Sequence, residues 1–103
     1  MKIKLQPDTI GILKDDYSLK SSQIGYIKRY LGSYKNIPEE YVDATALICG
    51  DAYSEALNYN EIHEKDIEQG YTDPMSITRN MNKNVRRYYR ELNMDIPKRT
   101  KIR

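Results

Sequence analysis

The last third of the chain carries the most regular pattern in the sequence. Apolar side chains recur there at intervals of three or four residues, at positions Ile77, Met81, Val85, Tyr88 and Leu92. Side chains at this spacing share one face of an α-helix, and that face needs another element to bury it. Asp73 and Pro74 precede the series and suit an N-cap and a first helical position. The pattern therefore predicts an amphipathic helix over residues 73–93.

Three further segments show helical spacing. The first follows Pro7, and the second follows Ser21, which is a favourable N-cap residue. The third begins at Pro38 and extends to about residue 58. Its face is rich in small side chains that would let another helix approach closely, namely Ala44, Ala46, Gly50, Ala52 and Ala56. Residues 1–5 alternate in polarity and predict a short strand or an extended arm.

Size and composition fit one domain. The chain has 103 residues, of which 39% are hydrophobic and 31% charged, as in globular domains. Phe and Trp are absent, so the ten Tyr residues must supply the large core side chains, and their buried hydroxyls need partners. We expect an all-α fold of four or five short helices, with or without one short N-terminal strand. The compact domain should cover residues 1–96, with a basic tail at 97–103.

Cysteine content and hydropathy bear on the compartment. Cys49 is the single cysteine, so an internal disulfide is excluded. No apolar run is long enough to span a bilayer, and no signal peptide is recognisable. We therefore expect a cytoplasmic protein without membrane contact.

Charge is distributed in three blocks along the chain. Residues 1–38 hold seven basic and three acidic side chains, residues 39–73 hold one and ten, and residues 74–103 hold nine and two. The blocks carry net charges of +4, −9 and +7. The basic blocks are suited to a polyanion such as nucleic acid, or to the acidic block of the same or a neighbouring subunit. A solvated surface without a partner is the third interpretation.

Residues 13–31 read LKDDYSLKSSQIGYIKRYL. Two short helices joined by a tight turn must bury their inner faces against each other, so apolar residues are needed at fixed offsets. Leu13 and Tyr17 precede the turn, Leu19 fills it, and Ile24 and Ile27 anchor the second helix. Together with the helix that Pro38 opens, residues 7–50 resemble the helix-turn-helix of the Cro/repressor family. The turn position that is usually glycine in that family is Ser18 here.

The resemblance implies a mode of DNA binding. In that family the second helix enters the major groove, and such modules commonly bind as two-fold symmetric dimers. The residues that the resemblance implies as base contacts are Ser22, Gln23, Tyr26 and Arg29. Those implied as phosphate contacts are Lys20, Ser21, Lys28 and Lys35. Double-stranded DNA and a second copy of the chain are the expected partners.

A second DNA-binding architecture fits the first 31 residues less closely. The order of an N-terminal strand and two helices also resembles a ribbon-helix-helix protein. In that arrangement, strands paired between two subunits would place Lys2, Lys4 and Gln6 in the major groove. Ile3 and Leu5 would then point inward.

The helix predicted over residues 73–93 offers a separate basic surface. Four cations recur on one of its faces, namely Arg79, Lys83, Arg86 and Arg90. This spacing suits contact with phosphates, and every neutralised phosphate steepens the salt dependence of binding. The alternatives are a face charged for solubility, or one that pairs with the acidic block.

Signals for catalysis or metal binding are weak. His63 is the only histidine, and its acidic neighbours Glu61, Glu64 and Asp66 fit a polar loop with a short helical piece at 61–69 better than a metal site. Cys49 lies on an apolar stripe, where free cysteines are small hydrophobes. The sequence RRYYR at 86–90 lacks the further residues of a tyrosine nucleophile site. We expect neither an enzyme nor a bound cofactor or metal.

Two functions remain open at this point. The first is a small sequence-specific DNA-binding regulator from a phage or mobile element. The second is an interaction or inhibitor protein that binds a host protein, for which Tyr and Arg are common hot-spot residues. The first requires that Tyr26 and Arg29 lie exposed and are not covered by residues 77–92.

Overall fold

Four α-helices account for most of the structure. The computed structural model describes the backbone of residues 3–63 and 74–99, and the side chains of 3–58 and 76–99. The helices are α1 (Pro7–Asp15), α2 (Ser21–Gly32), α3 (Val42–His63) and α4 (Pro74–Glu91), with a 3-10 turn at Glu39–Tyr41 before α3. The predicted all-α fold is confirmed. The N-terminal strand is not formed by residues 3–6.

The long helix α3 is the centre of the fold and packs against each of the other three helices. Its partner α4 runs antiparallel to it. Thr45 Oγ1 lies 2.7 Å from Tyr89 Oη, whereas Asn80 Nδ2 donates to the Ala52 carbonyl at 2.9 Å. A later residue of α3 thus meets an earlier residue of α4, so the two helices are antiparallel.

α1 approaches α3 at one of the predicted small residues. A Cβ atom added to Gly50 would collide with Cδ2 of Leu13, which is fully buried. Ala46, Ala52 and Ala56 are buried as well. The small-residue face of α3 therefore brings neighbouring helices close, as the sequence predicted.

The connection between α1 and α2 is a tight turn. Ser18 adopts a φ of 55°, the left-handed region that favours glycine. Leu19 is only 4% exposed, and its N–H donates to the Leu13 carbonyl at 3.1 Å. Ser21 is the first helical residue rather than the predicted N-cap, which is Lys20. The predicted bend between α1 and α2 is present, and the Leu19 side chain is buried in it.

The N-terminal arm lies on its own chain. Ile3 and Leu5 are buried, Lys4 is exposed, and the Gln6 N–H donates to Asp43 Oδ1 at 2.9 Å. The arm has no strand pairing in residues 3–6, so the ribbon expected for a ribbon-helix-helix protein is not formed there. Lys2 lies outside the described residues.

The segment after α4 is docked further than the sequence suggested. Pro97 is buried, and the Lys35 N–H donates to the Lys98 carbonyl at 2.9 Å. The Lys98 N–H donates in turn to Asn36 Oδ1 at 3.1 Å. Residues 97–99, which the sequence assigned to the basic tail, therefore pack against the end of α2 and the segment after it; residues 100–103 lie outside the described part.

The buried stripe of α4 differs from the predicted one near its end. Ile77, Met81 and Val85 are buried as predicted, but Tyr89 takes the innermost position and Tyr88 is only half-buried. Leu92 is 39% exposed, because α4 ends at Glu91. None of the helices, within the residues described, is sufficiently long and apolar to cross a membrane.

Candidate nucleic-acid interface

The predicted base-reading side of α2 is largely occupied by contacts within the protein. Gln23 is half-buried, and its Oε1 accepts the Lys20 N–H at 2.7 Å as an N-terminal cap. Tyr26 is half-buried too, with Oη 2.5 Å from Thr78 Oγ1 on α4. Its ring also meets that of Tyr53 on α3 edge to face, with centroids 5.8 Å apart.

The expectation that the Tyr26 side of α2 stands free is therefore wrong, and the condition for DNA reading by that side of α2 is not met. α4 reaches Tyr26 because α2 packs beside it, and the Tyr26 hydroxyl finds a partner there, as a half-buried tyrosine needs. Of the four predicted base contacts, Ser22 and Arg29 alone are exposed. The Arg29 guanidinium lies 5.8 Å from the centroid of the Tyr26 ring, within reach of a cation–π interaction.

The predicted phosphate contacts around α2 do not form a cluster. Lys20 and Ser21 are exposed at the start of the helix, Lys28 is half-exposed, and Lys35 is exposed beyond its end. A helix of 12 residues is roughly 18 Å long at about 1.5 Å per residue. These side chains are thus distributed along the whole length of α2.

The predicted cations of α4, in contrast, line a common groove. Its volume is about 200 Å³, and its lining residues are Arg79, Asn82, Lys83, Arg86 and Arg90. All four cations are exposed. They extend over roughly 17 Å of helix at about 1.5 Å per residue.

The alternative that the acidic block neutralises this groove is not seen in the described residues. No carboxylate among them forms an ion pair with the four groove cations. Glu55 instead accepts a hydrogen bond from Asn80 Nδ2 at 3.0 Å, and Asp43 accepts one from the Gln6 backbone. Residues 64–73 of the acidic block lie outside the described part.

Of two further arginines, Arg99 adjoins the groove and Arg29 is exposed on the neighbouring helix α2. Arg29 stacks on Tyr26, whose hydroxyl meets Thr78 next to Arg79. Arg99 Nη1 lies 3.4 Å from Asn82 Oδ1, within the groove lining. We call the combined set the basic surface; it consists of Arg29, Arg79, Lys83, Arg86, Arg90 and Arg99.

Arg99 is held from both sides. Its guanidinium lies 4.7 Å from the centroid of the Tyr30 ring, and its Nε donates to Ser33 Oγ at 2.8 Å. The sequence predicted that Arg99 lies in a basic tail, because nothing next to Arg99 in the sequence indicates a contact with a distant helix. The bridge between Tyr34 and Arg99 fixes that segment against the end of α2.

The groove is backed by neutral tyrosines. Burial raises the pKa of Tyr30, with a smaller opposing effect of Arg99, and burial also raises the pKa of Tyr34. Both hydroxyls therefore remain protonated at neutral pH.

The remaining chemical candidates gain no support in the described part of the chain. Cys49 is fully buried, and burial raises the pKa of its thiol, which disfavours the thiolate. Tyr89 has its hydroxyl bound to Thr45. No group of three metal-ligating side chains is found in the described residues. The described side chains do not include those of His63, Glu61, Glu64 and Asp66.

Sequence reasoning missed Asn82 as a lining residue. The available signal was its spacing, three residues after Arg79 and four before Arg86 on the basic side of α4. Comparison of the chain with protein-family models, with curated proteins and with solved structures gives no match. An all-α protein with a basic surface is the class that the fold and site define.

Proposed function

We propose that the protein binds double-stranded DNA through the basic surface, chiefly by contacts to the phosphate backbone. The observation that carries the proposal is the groove on α4. Four exposed cations line it without a carboxylate partner among the described residues. Such an arrangement attracts a polyanion rather than a single counter-ion.

The geometry favours backbone contact over insertion of α4 between bases. Duplex DNA presents one charge per about 1.7 Å of axis, so a row of cations roughly 17 Å long can meet several phosphates. Because the cations share one face, α4 is suited to lie along a backbone. Contacts of this kind position the protein but carry no sequence information directly.

Arg29 and Ser22, the predicted base contacts that remain exposed, supply additional DNA contacts in this proposal. An exposed Arg can contact phosphate, or a guanine through two hydrogen bonds. The tight turn at Ser18 supports a helix-turn-helix origin for α1 and α2. Gln23 and Tyr26 have no base-reading role in the proposal, since both are engaged within the protein. A regulator of a phage or mobile element that binds as a homodimer is the form we propose.

The alternative is an interaction protein that binds an acidic host surface. The covered side of α2 favours it, because that side cannot lie in a major groove without displacing Thr78 from Tyr26. The same cations would serve such a partner. The test below is designed to separate the two.

The test is a salt titration of the full chain with a fluorescent DNA duplex, followed by anisotropy from about 50 to 200 mM salt. With four to six phosphate contacts, the logarithm of the association constant should fall with that of the salt concentration at a slope between about −3.5 and −5.5. Poly-glutamate serves as the matched polyanion. A flat response, or poly-glutamate bound as tightly as DNA, would overturn the proposal and favour the interaction protein.

A further inference from the structure

Among the described residues that line the groove, Asn82 alone is uncharged. It lies between Arg79 and Arg86 on the α4 surface and is half-buried. Its Oδ1 accepts the Tyr30 hydroxyl at 2.6 Å and faces Arg99 Nη1 at 3.4 Å. The amide is thus tied to α2 and to the docked C-terminal segment together.

The hydrogen bonds behind Asn82 have a defined direction. A tyrosine hydroxyl has one proton, and that of Tyr30 is used towards Asn82 Oδ1, which can only accept. The contact of 2.6 Å between the hydroxyls of Tyr30 and Tyr34 must therefore be donated by Tyr34. The order is Tyr34 to Tyr30 to Asn82, and it fixes which end of the amide points inward.

The other end of the amide is available. The structure gives Asn82 Nδ2 no acceptor in the described part of the chain. No buried side-chain nitrogen or oxygen there lacks a partner, so Nδ2 must reach solvent. Because the residue lines the groove, its two N–H donors serve the groove side.

We infer that the groove contains a seat for one phosphate group, formed by Arg79, Arg86 and the Nδ2 donors of Asn82. The inference deepens the proposed function and rests on it for the source of the phosphate. The arginines supply charge and paired donors, whereas the amide supplies a donor whose direction is preset by Tyr30 and Arg99. The chemistry recognised is a phosphate oxygen, from a DNA phosphodiester or from free phosphate.

Asn82→Asp removes the proposed N–H donors and adds a negative charge at the same place. The carboxylate keeps an acceptor for Tyr30 and Arg99, so the internal bonds persist, but a negative oxygen replaces the N–H donors in the groove. DNA affinity should fall about tenfold or more, as expected for loss of a charge-assisted hydrogen bond. Asn93→Asp, an equal charge change at an exposed residue just beyond α4, should change it less than about twofold.

Tyr30→Phe provides a second variant without any change of charge. It removes the hydroxyl that orients the amide, so we expect DNA affinity to fall about threefold, a smaller effect than loss of the donor itself. Circular dichroism checks that each variant remains helical.

The ligand source is read from the side-chain amide signals of Asn82 in the full ¹⁵N-labelled chain, assigned with Asn82→Asp. Titration with a short DNA duplex and with inorganic phosphate should each shift them. A shift with phosphate but no DNA binding would keep the seat and overturn the proposed function. DNA binding with unmoved Asn82 signals, and equal affinities of Asn82→Asp and Asn93→Asp, would overturn the seat while the proposed function stands.

Discussion

The outward side of α2 and the outer face of α4 both carry polar residues, yet they differ in what those residues contact. On α2, Gln23 caps its own helix and Tyr26 binds Thr78. On α4, Arg79, Lys83, Arg86 and Arg90 line a groove without an ion-pair partner in the described residues.

The difference follows from side-chain chemistry. An amide or phenol at a helix surface is readily used by nearby backbone or by a neighbouring helix, because one short hydrogen bond satisfies it. Long cationic side chains keep their charge in solvent even where their stems pack. The α4 cations therefore stay available to an external partner, whereas Gln23 and Tyr26 on α2 are used within the protein.

The largest expected effect comes from removing equal charge on the two sides. The triple variant Arg79→Gln, Lys83→Gln and Arg86→Gln should weaken DNA binding about 100-fold near 0.1 M salt, and should reduce the steepness of the salt dependence by about 2.7. The matched triple variant Lys20→Gln, Lys28→Gln and Lys35→Gln should reduce that steepness by less than about 1. Anisotropy titrations measure both.

The same pair of variants can also show that the proposed difference between α2 and α4 is wrong. If the α2 triple variant loses more affinity than the α4 triple variant, α2 is the main contact with DNA and the groove is secondary. Thermal unfolding of both proteins serves as the control, since all substituted side chains are at least partly exposed.

A second effect concerns the tyrosines that join α2 to α4. Burial raises the pKa of Tyr30 above its ordinary value of 10.0, so folding favours the neutral phenol. The stability gained from it is fully present below about pH 10 and is lost as the pH rises further towards the folded-state pKa. Burial also raises the pKa of Cys49 above its ordinary value of 9.0, so urea unfolding should show constant stability from neutral pH to about 8, a first decline near 9 and a steeper one above 10.

Tyr30→Phe tests whether Tyr30 causes the decline in stability at alkaline pH. It should cost about 1–3 kcal/mol of unfolding free energy at pH 7, because the hydroxyl takes part in two hydrogen bonds, to Asn82 and from Tyr34, but should make the decline above pH 10 shallower. A decline as steep as that of the unsubstituted protein would show that Tyr53, Tyr89 or another buried tyrosine, and not Tyr30, controls alkaline unfolding.

The smallest expected effect separates two neighbours on α2. Tyr26→Phe should lower stability by about 0.5–1.5 kcal/mol through loss of the bond to Thr78, with DNA affinity nearly unchanged. Arg29→Ala should leave stability nearly unchanged and reduce the steepness of the salt dependence by about 1. Urea unfolding and anisotropy measure the two quantities, and a larger affinity loss for Tyr26→Phe would return Tyr26 to the DNA contact.

Much of the fold could be predicted because it rests on local periodicity and turn chemistry. The helices follow apolar spacing, the bend follows Ser18 and Leu19, and the close approach of α1 follows the small side chain of Gly50. The exchange of Tyr88 for Tyr89 in the core could not be predicted, since both neighbours in sequence suit burial and the packing against α3 decides between them. The α4 cations were found for the same reason as the helices, namely their spacing.

The rest of the candidate site depends on contacts between distant segments. Nothing local to Tyr26 indicates Thr78, which is 52 residues away. Nothing local to Arg99 indicates Ser33, 66 residues away. Asn82 acquires its orientation from Tyr30, on a different helix. Sequence periodicity identifies a face but not which element covers it.

The contact between Leu13 and Gly50 has a consequence for the divergence of this protein. Because a Cβ atom at position 50 would collide with the Leu13 side chain unless that side chain shifts, a larger residue at one position favours a smaller one at the other, as in volume-conserving exchanges in a core. In chains related to this one, the two positions should vary in concert. Such correlated substitutions would keep α1 at the same position against α3 while both residues change.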